Sequence, residues 1–506
     1  MMRFNTPTGK QEMVQNHEGA KAFAFTPALE LYTLVATAGL SDKFYEKADE
    51  TLDRLRSLIL KNDPVFVGKV AVYAREQMYL RSIPVVLAVE LARVHNGDAL
   101  VSTLVTRIVQ RADEITELLA YYCVSNGRAD QKKLGALSKQ VQKGLAEAFN
   151  KFDEYQFAKY NRDSGISLKD ALFIVHPKAK AEAQQALFDK IVVDGLATPY
   201  TWETELSMLG LLSFNSEKQR QVAQQAKWEE LIFSEKLGYM ALLRNLRNIL
   251  EASVSSEAIK KVCGYLANPK AVTMSKQLPF RYLNAYRELK SLKSGHTGRV
   301  LDALEDALLV SAANIPGYDA DISVVIAADV SGSMQKTVSA KSKMQNYDIG
   351  LLLAMLLQSR CANVVTGMFG DSWKTIAVPK KNVLANVGEF HRREGEVGYA
   401  TNGNLVIKDL LKQRKVVDKI MIFTDCQLWN TEGGQETIDT LWKQYKQIAP
   451  GARLYLFDLA GYGTTPLRLA GRDVFLIAGW SDKIFGVLQA IEDGGNALGK
   501  INEIEL

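Results

Sequence analysis

Cysteine is scarce in this 506-residue sequence. Cys123, Cys263, Cys361 and Cys426 lie far apart, and none forms a CxxC pair. That excludes a disulfide framework and a zinc knuckle, and it suits a reducing compartment. No stretch reaches the roughly 18 consecutive apolar residues of a membrane-spanning helix. The segment Met1–Lys10 is polar and lacks the apolar run of a secretory signal, so a cytoplasmic location and no membrane partner are expected. Neither sign of charge dominates: 62 Lys and Arg stand against 57 Asp and Glu, a net charge of +5. Composition alone therefore neither demands nor forbids a polyanionic partner. There is no GxxxxGK[ST] phosphate loop, so the chain is not expected to hydrolyse ATP. Only five histidines occur, and no nucleophile is followed by a base at a fixed spacing. No catalysis is expected. What is present is an ordinary apolar fraction of 47%, enough for full cores in two or three domains of roughly 100–200 residues.

Two textures divide the chain. From Thr26 to about Ala313, apolar residues recur at spacings of three and four, as at Leu52, Leu55, Leu58 and Ile59. Turn signals break the run often: Asn62-Asp63-Pro64, Ser82-Ile83-Pro84, Asn96-Gly97-Asp98 and Asn126-Gly127. Short helices alternating with short turns predict antiparallel helix pairs stacked as a solenoid. After Ile315-Pro316-Gly317 the pattern changes. Apolar β-branched runs at Ile322–Ala328, Asn363–Phe369, Lys419–Thr424, Leu454–Leu459 and Val474–Ala478 alternate with helical stretches. That is a doubly wound α/β pattern with a parallel sheet. The domains are read as 1–318 and 319–506.

Asp329-Val330-Ser331-Gly332-Ser333 follows the first of these strands. Ligands bind at this edge of open α/β sheets. One carboxylate and two hydroxyls on alternate residues of a tight loop offer hard oxygen ligands of low total charge, which suits Mg²⁺. Thr401, just before a helix, and Asp425, at the end of Ile420–Thr424, rise to the same edge. The alternative for the short motif alone is a helix cap. Taken together, these positions resemble the metal-ion-dependent adhesion site of the von Willebrand factor A family. The resemblance implies that Ser331, Ser333 and Thr401 ligate directly and that Asp329 and Asp425 act mostly through water. A sixth position is left for an acidic group of a partner.

The helical region carries its own signature. In order come Asn16-His-Glu-Gly19, read as the opening of a helical array, then Phe157–Arg162, Ser167–Lys178, Thr201-Trp-Glu203, Gly238–Leu246 and Leu278-Pro-Phe280. This ordered set, followed by an A-type domain, resembles the TROVE family, that of the Ro 60 kDa autoantigen and its bacterial Ro-like relatives. The resemblance implies a ring of HEAT-like helix pairs closed by the A-type domain. It also implies binding of small noncoding Y RNA and of single-stranded 3′ ends of misfolded RNA. It places Lys159, Arg162 and His176 at positions that contact Y RNA.

The local chemistry is compatible. Lys169 and His176 are seven apart on one predicted helix, which puts them on one face, and Lys132, Lys139 and Lys143 extend a track for phosphates. A solvated face is the other reading of those lysines. From Lys260 to Arg299 the sequence is basic, with Glu288 the only acid. There Arg281 and Arg287 alternate with Tyr282 and Tyr286, side chains that either stack on single-stranded bases or fill the core. Arg244 is open to phosphate or to a carboxylate such as Glu203. The expected function is RNA quality control by a monomeric ribonucleoprotein scaffold that tethers an exoribonuclease. The alternative is a metal-dependent protein-interaction scaffold whose A-type domain grips an acidic partner.

Overall fold

The computed structural model describes residues 11–37, 47–127, 137–161, 165–313, 315, 317–338, 343–429, 436–469, 473–480, 483–494 and 497–506. Two compact units emerge, one of residues 1–55 and 228–500, the other of residues 56–227 and 501–506. The boundary expected at 318/319 falls inside the first unit.

The second unit is helical. Asp63 caps the helix Pro64–Glu76 by accepting from the Phe66 N–H at 3.0 Å, and Pro64 takes the first helical position, where no donor is lost. This helix packs on Ser82–Val94 and on Leu100–Ile108; the latter packs on Lys139–Phe149. Pro64–Glu76 thus meets its neighbour and the next but one, as helices in a stacked solenoid do. At the tightest crossing, a Cβ on Gly144 would stand 2.7 Å from both the Ser102 carbonyl oxygen and Val105 Cβ. Only glycine lets the two backbones approach so closely. Arg75 and Glu114, both buried, join in a two-pronged ion pair at 2.7 and 2.9 Å. Glu114 also accepts from Arg81 Nε and from the Gln110 and Arg111 N–H groups, and Arg75 Nε donates to the Ile108 carbonyl. Every strong donor and acceptor of this buried pair is engaged, the condition under which such a pair is tolerated. Residues of the 501–506 segment join this unit: Lys69 Nζ donates to the Asn502 carbonyl at 2.6 Å, and Arg107 to that of Glu505.

The first unit combines helices with two sheets. Strands are β1 (Met13–Gln15), β2 (Lys21–Ala24), β3 (Tyr318–Asp329), β4 (Cys361–Phe369), β5 (Trp373–Thr375), β6 (Lys419–Thr424), β7 (Arg453–Asp458), β8 (Thr464–Thr465) and β9 (Val474–Ala478). The large sheet has the order β5-β4-β3-β6-β7-β9. All its pairings are parallel except that of the edge strand β5, which runs antiparallel to β4. The sheet is therefore mixed rather than purely parallel. From central β3 the chain steps to β4 on one side and later to β6 on the other, so the carboxyl end of β3 is a topological switch point. The helix Asn346–Arg360 is buried over most of its circumference against β3, β4 and β6, which explains its nearly unbroken apolar sequence. The helices Tyr239–Glu251, Ser256–Leu266, Pro279–Lys290 and Thr297–Ser311 stack among themselves in the same unit.

Asn16–Gly19 does not open a helix. It is the turn of a β1–β2 hairpin, and β2 pairs with β8. Asn16 explains the turn: its side-chain oxygen accepts from the Glu18 and Ala20 N–H groups at 3.1 and 2.8 Å, and Gly19 supplies a φ of 75°.

Candidate metal centre and nucleic-acid surface

The apolar run Val324–Ala328 buries β3 up to Asp329, which is 1% exposed. Parallel register sets Ala328 beside Phe423 of β6, so Asp329 and Thr424 end at one level. Asp329 Oδ1 accepts from the Ser331 N–H at 2.9 Å, and its Oδ2 accepts from the Thr424 hydroxyl at 2.6 Å. The Ser331 and Ser333 hydroxyls lie 3.2 Å apart. The Gly332 N–H donates to the Tyr399 carbonyl at 3.1 Å, tying this loop to the one that carries Thr401. The Thr401 hydroxyl accepts from the Trp429 N–H at 2.8 Å, and Asp425 Oδ1 accepts from the Gln427 N–H at 3.0 Å. The structure thus brings the five predicted oxygen donors to one buried edge.

The electrostatics of this edge are unbalanced. Burial pushes the carboxyls of both Asp329 and Asp425 well above the ordinary carboxylate range, and the charge of Asp329 pushes Asp425 further. Among the described residues no Lys or Arg pairs with either one. Asp425 Oδ2 is buried without a hydrogen-bond partner. Buried carboxylate oxygens without donors are unfavourable unless a cation meets them. Among the described residues no group of three or more His, Cys, Asp or Glu is arranged to hold a metal. A cation here would have to be held by two carboxylates and three hydroxyls, which is a donor set of the Mg²⁺ type.

The predicted RNA-contacting residues divide by what holds them. In the second unit, Lys159 is exposed; its Nζ lies 5.5 Å from the centre of the Tyr155 ring and 5.6 Å from that of Tyr160. Arg111 stands over the other partner of this cluster, 4.3 Å from the centre of the Tyr160 ring. Cations beside accessible aromatic faces suit phosphates and stacked bases. His176 is exposed and ends the helix Leu168–Val175 in a left-handed conformation, φ 51° and ψ 55°. It has left the helix, so the expected shared helical face with Lys169 does not form; Lys169 pairs with Asp194 at 2.9 Å. Lys139 and Lys143 are exposed one turn apart on the helix Lys139–Phe149. Lys132 and Arg162 lie outside the described residues.

In the first unit, Arg281 is exposed over the Phe280 ring at 5.1 Å, with Arg244 as a like-charged neighbour. Arg287 differs from the expectation. It is engaged by Asp348, a carboxylate 1% exposed, and so fastens the helix Pro279–Lys290 to Asn346–Arg360. Tyr282 is fully buried and belongs to the core.

Residues 28–205 and 194–301 match the TROVE domain, and residues 323–491 match the Ro60 vWA domain. The chain belongs to the TROVE family. Members of this family bind RNA. Over 348 residues, 53% of the TROVE chain, it is 25% identical to telomerase protein component 1 of Rattus norvegicus and likewise of Mus musculus. The chain spans only 13% of the length of those relatives. The crystal structure of the Deinococcus radiodurans Ro (Rsr) protein superposes with a TM-score of 0.58 over 93% of this chain and 100% of that one, at 18% identity. That likeness supports the fold: a mostly helical N-terminal region and a C-terminal A-type domain.

Two groups in this TROVE protein escape the sequence reading. Tyr155 and Tyr160 flank Lys159, and Arg111 stands over Tyr160; the tyrosines four before and one after the lysine are the available signal. Asn16 and Gln427 reinforce the metal-type edge from outside the DxSxS motif, and nothing in their spacing announces it. No helix among the described residues is long and apolar enough to cross a membrane.

Proposed function

We propose that the protein binds small structured noncoding RNA of the Y-RNA type through the surface around Lys159 and His176, with Lys139 and Lys143 adding phosphate contacts. Single-stranded 3′ ends of misfolded RNA would be taken up by exposed cations such as Arg281. In this reading the protein is a cytoplasmic, monomeric scaffold for RNA quality control, without catalysis of its own, and its RNA tethers an exoribonuclease. The observation that carries it is the cluster in which exposed Lys159 lies beside the Tyr155 and Tyr160 rings, with half-buried Arg111, itself paired with Asp113, over Tyr160. Unpaired RNA is read by such stacking and phosphate contacts, because side chains cannot enter the deep groove of an A-form duplex.

Asp329, Ser331, Ser333, Thr401 and Asp425 would hold Mg²⁺, and the buried Asp425 Oδ2 without a donor supports this. Bound there, the ion supplies a coordination position that accepts a hard anionic oxygen. Purification from cells after ultraviolet crosslinking tests the function. Small structured RNA crosslinked to the wild type, and lost from K159A/H176A, is the expected result. An acidic protein retained only in Mg²⁺, with no RNA, would replace this reading with a metal-dependent protein scaffold.

A further inference from the structure

One short segment, residues 425–429, joins the metal-type edge to the β1–β2 hairpin. Cys426 bends the chain with a left-handed φ of 61°, and the Gln427 N–H then donates to Asp425 Oδ1 at 3.0 Å. The Leu428 carbonyl accepts from Nδ2 of buried Asn16 at 2.9 Å. The Trp429 N–H donates to the Thr401 hydroxyl at 2.8 Å. The residues that orient two of the five oxygen donors are therefore interleaved with those that hold the hairpin turn.

Gln427 stands at the centre of this segment and is fully buried. Its side-chain amide is used at both ends. Oε1 accepts from the His17 N–H in the turn at 2.9 Å, and Nε2 donates to the Thr464 hydroxyl of β8 at 3.1 Å. The His17 N–H can only donate, which fixes the end of the amide that carries the oxygen. Since β8 pairs with β2 through Thr464 and Ala24, one side chain grips the second sheet at two points. Glu in its place would lack the donor, and Met would lack both groups. The backbone N–H that orients Asp425 thus belongs to a residue whose position is set from the hairpin.

We propose that Gln427 is a positioning residue that couples the metal centre to the β1–β2 hairpin: its N–H holds the Asp425 carboxylate for the cation, and its side-chain amide fixes that N–H by gripping the turn and β8. The proposal rests on the Mg²⁺ reading of Asp329, Ser331, Ser333, Thr401 and Asp425. Coupling between two sites is reciprocal. A cation at the centre restrains the hairpin, and whatever loosens the hairpin weakens the hold on the cation.

The test uses Mn²⁺, visible by electron paramagnetic resonance, as a substitute for Mg²⁺ in the full-length protein, comparing wild type, Q427M, N16A and D329A. The resonance of free Mn²⁺ gives the affinity, and amide hydrogen exchange of residues 13–24 reports the hairpin. Q427M keeps the side-chain length and the backbone N–H and removes both side-chain bonds. N16A attacks the coupling from the turn and leaves Gln427 in place. Saturating Mn²⁺ should slow exchange of the wild-type hairpin by about fivefold or more. Q427M and N16A should bind Mn²⁺ at least about tenfold more weakly, and saturating Mn²⁺ should leave the hairpin exchange of Q427M unchanged. Equal slowing in wild type and Q427M, no slowing in a wild type that binds Mn²⁺, or an unaltered affinity in N16A would overturn the coupling while leaving the five-residue centre intact. Failure of the wild type to bind Mn²⁺, or binding that D329A leaves unchanged, would overturn the centre and the coupling together.

Discussion

The Thr424 hydroxyl donates to Asp329 Oδ2 at 2.6 Å while the Ser331 N–H holds Oδ1. Both oxygens of this carboxylate are thus oriented by neighbours before any ion arrives. Such outer partners set the direction and basicity of a ligand and are worth about 10–100-fold in metal affinity. T424V keeps the side-chain volume and removes the donor. It should weaken Mg²⁺ binding by about that factor, measured by isothermal titration calorimetry, without changing the circular dichroism of the protein. An unchanged affinity would mean that Asp329 needs no such support.

The buried pair Arg75–Glu114 carries a stability prediction. E114A leaves Arg75, only 7% exposed, facing a void. It also strips the Gln110 and Arg111 N–H groups of their acceptor. A broken buried pair costs about 3–5 kcal/mol, so urea unfolding of the helical region should shift to markedly lower midpoint. A loss below about 1 kcal/mol, the range of an exposed ion pair, would show that water reaches the site.

Gly144 gives an independent check on helix packing. G144A adds a single methyl group 2.7 Å from the Ser102 carbonyl oxygen and Val105 Cβ. Alanine favours an isolated helix, so intrinsic propensity alone predicts stabilisation of about 1 kcal/mol. Overpacking against backbone costs about 1–3 kcal/mol, and the expected outcome is a lower melting temperature.

Arg281 and Arg287, six residues apart, should respond in opposite ways. R287A takes the guanidinium away from buried Asp348 and is expected to destabilise the protein. R281A should leave stability unchanged and weaken single-stranded RNA binding. If Arg281 meets one phosphate, the slope of log affinity against log salt should fall by about 0.7. Parallel melting curves and salt titrations of both variants decide the matter.

The contrast between these two arginines shows where the sequence was legible. Their composition and spacing are alike; only the fold tells that Asp348, sixty-one positions beyond Arg287, meets its guanidinium. The strands β3, β4, β6, β7 and β9 were readable because each is a continuous apolar run bounded by turns, and the metal-type ligands because they follow such strands directly. The hairpin β1–β2 was not, since Met13–Gln15 and Lys21–Ala24 are too short to show a period and gain their order from β8, far along the chain. Edge strand β5, three residues long, is hidden for the same reason. The seven-residue spacing from Lys169 predicts a helical face that includes His176; its left-handed backbone, followed by Pro177, takes it off the helix instead.

The most direct test of the account is a fluorescence anisotropy titration with a small structured RNA bearing a single-stranded 3′ tail, across a salt series, comparing wild type with K159A/H176A. Salt-sensitive binding by the wild type is expected, weakened at least about tenfold in the double variant, since a base stacked on an aromatic ring such as that of His176 is worth about 1–3 kcal/mol. Equal affinity of the two proteins would remove the Lys159 surface from the account, and no binding of the RNA by the wild type at low salt would contradict its central claim.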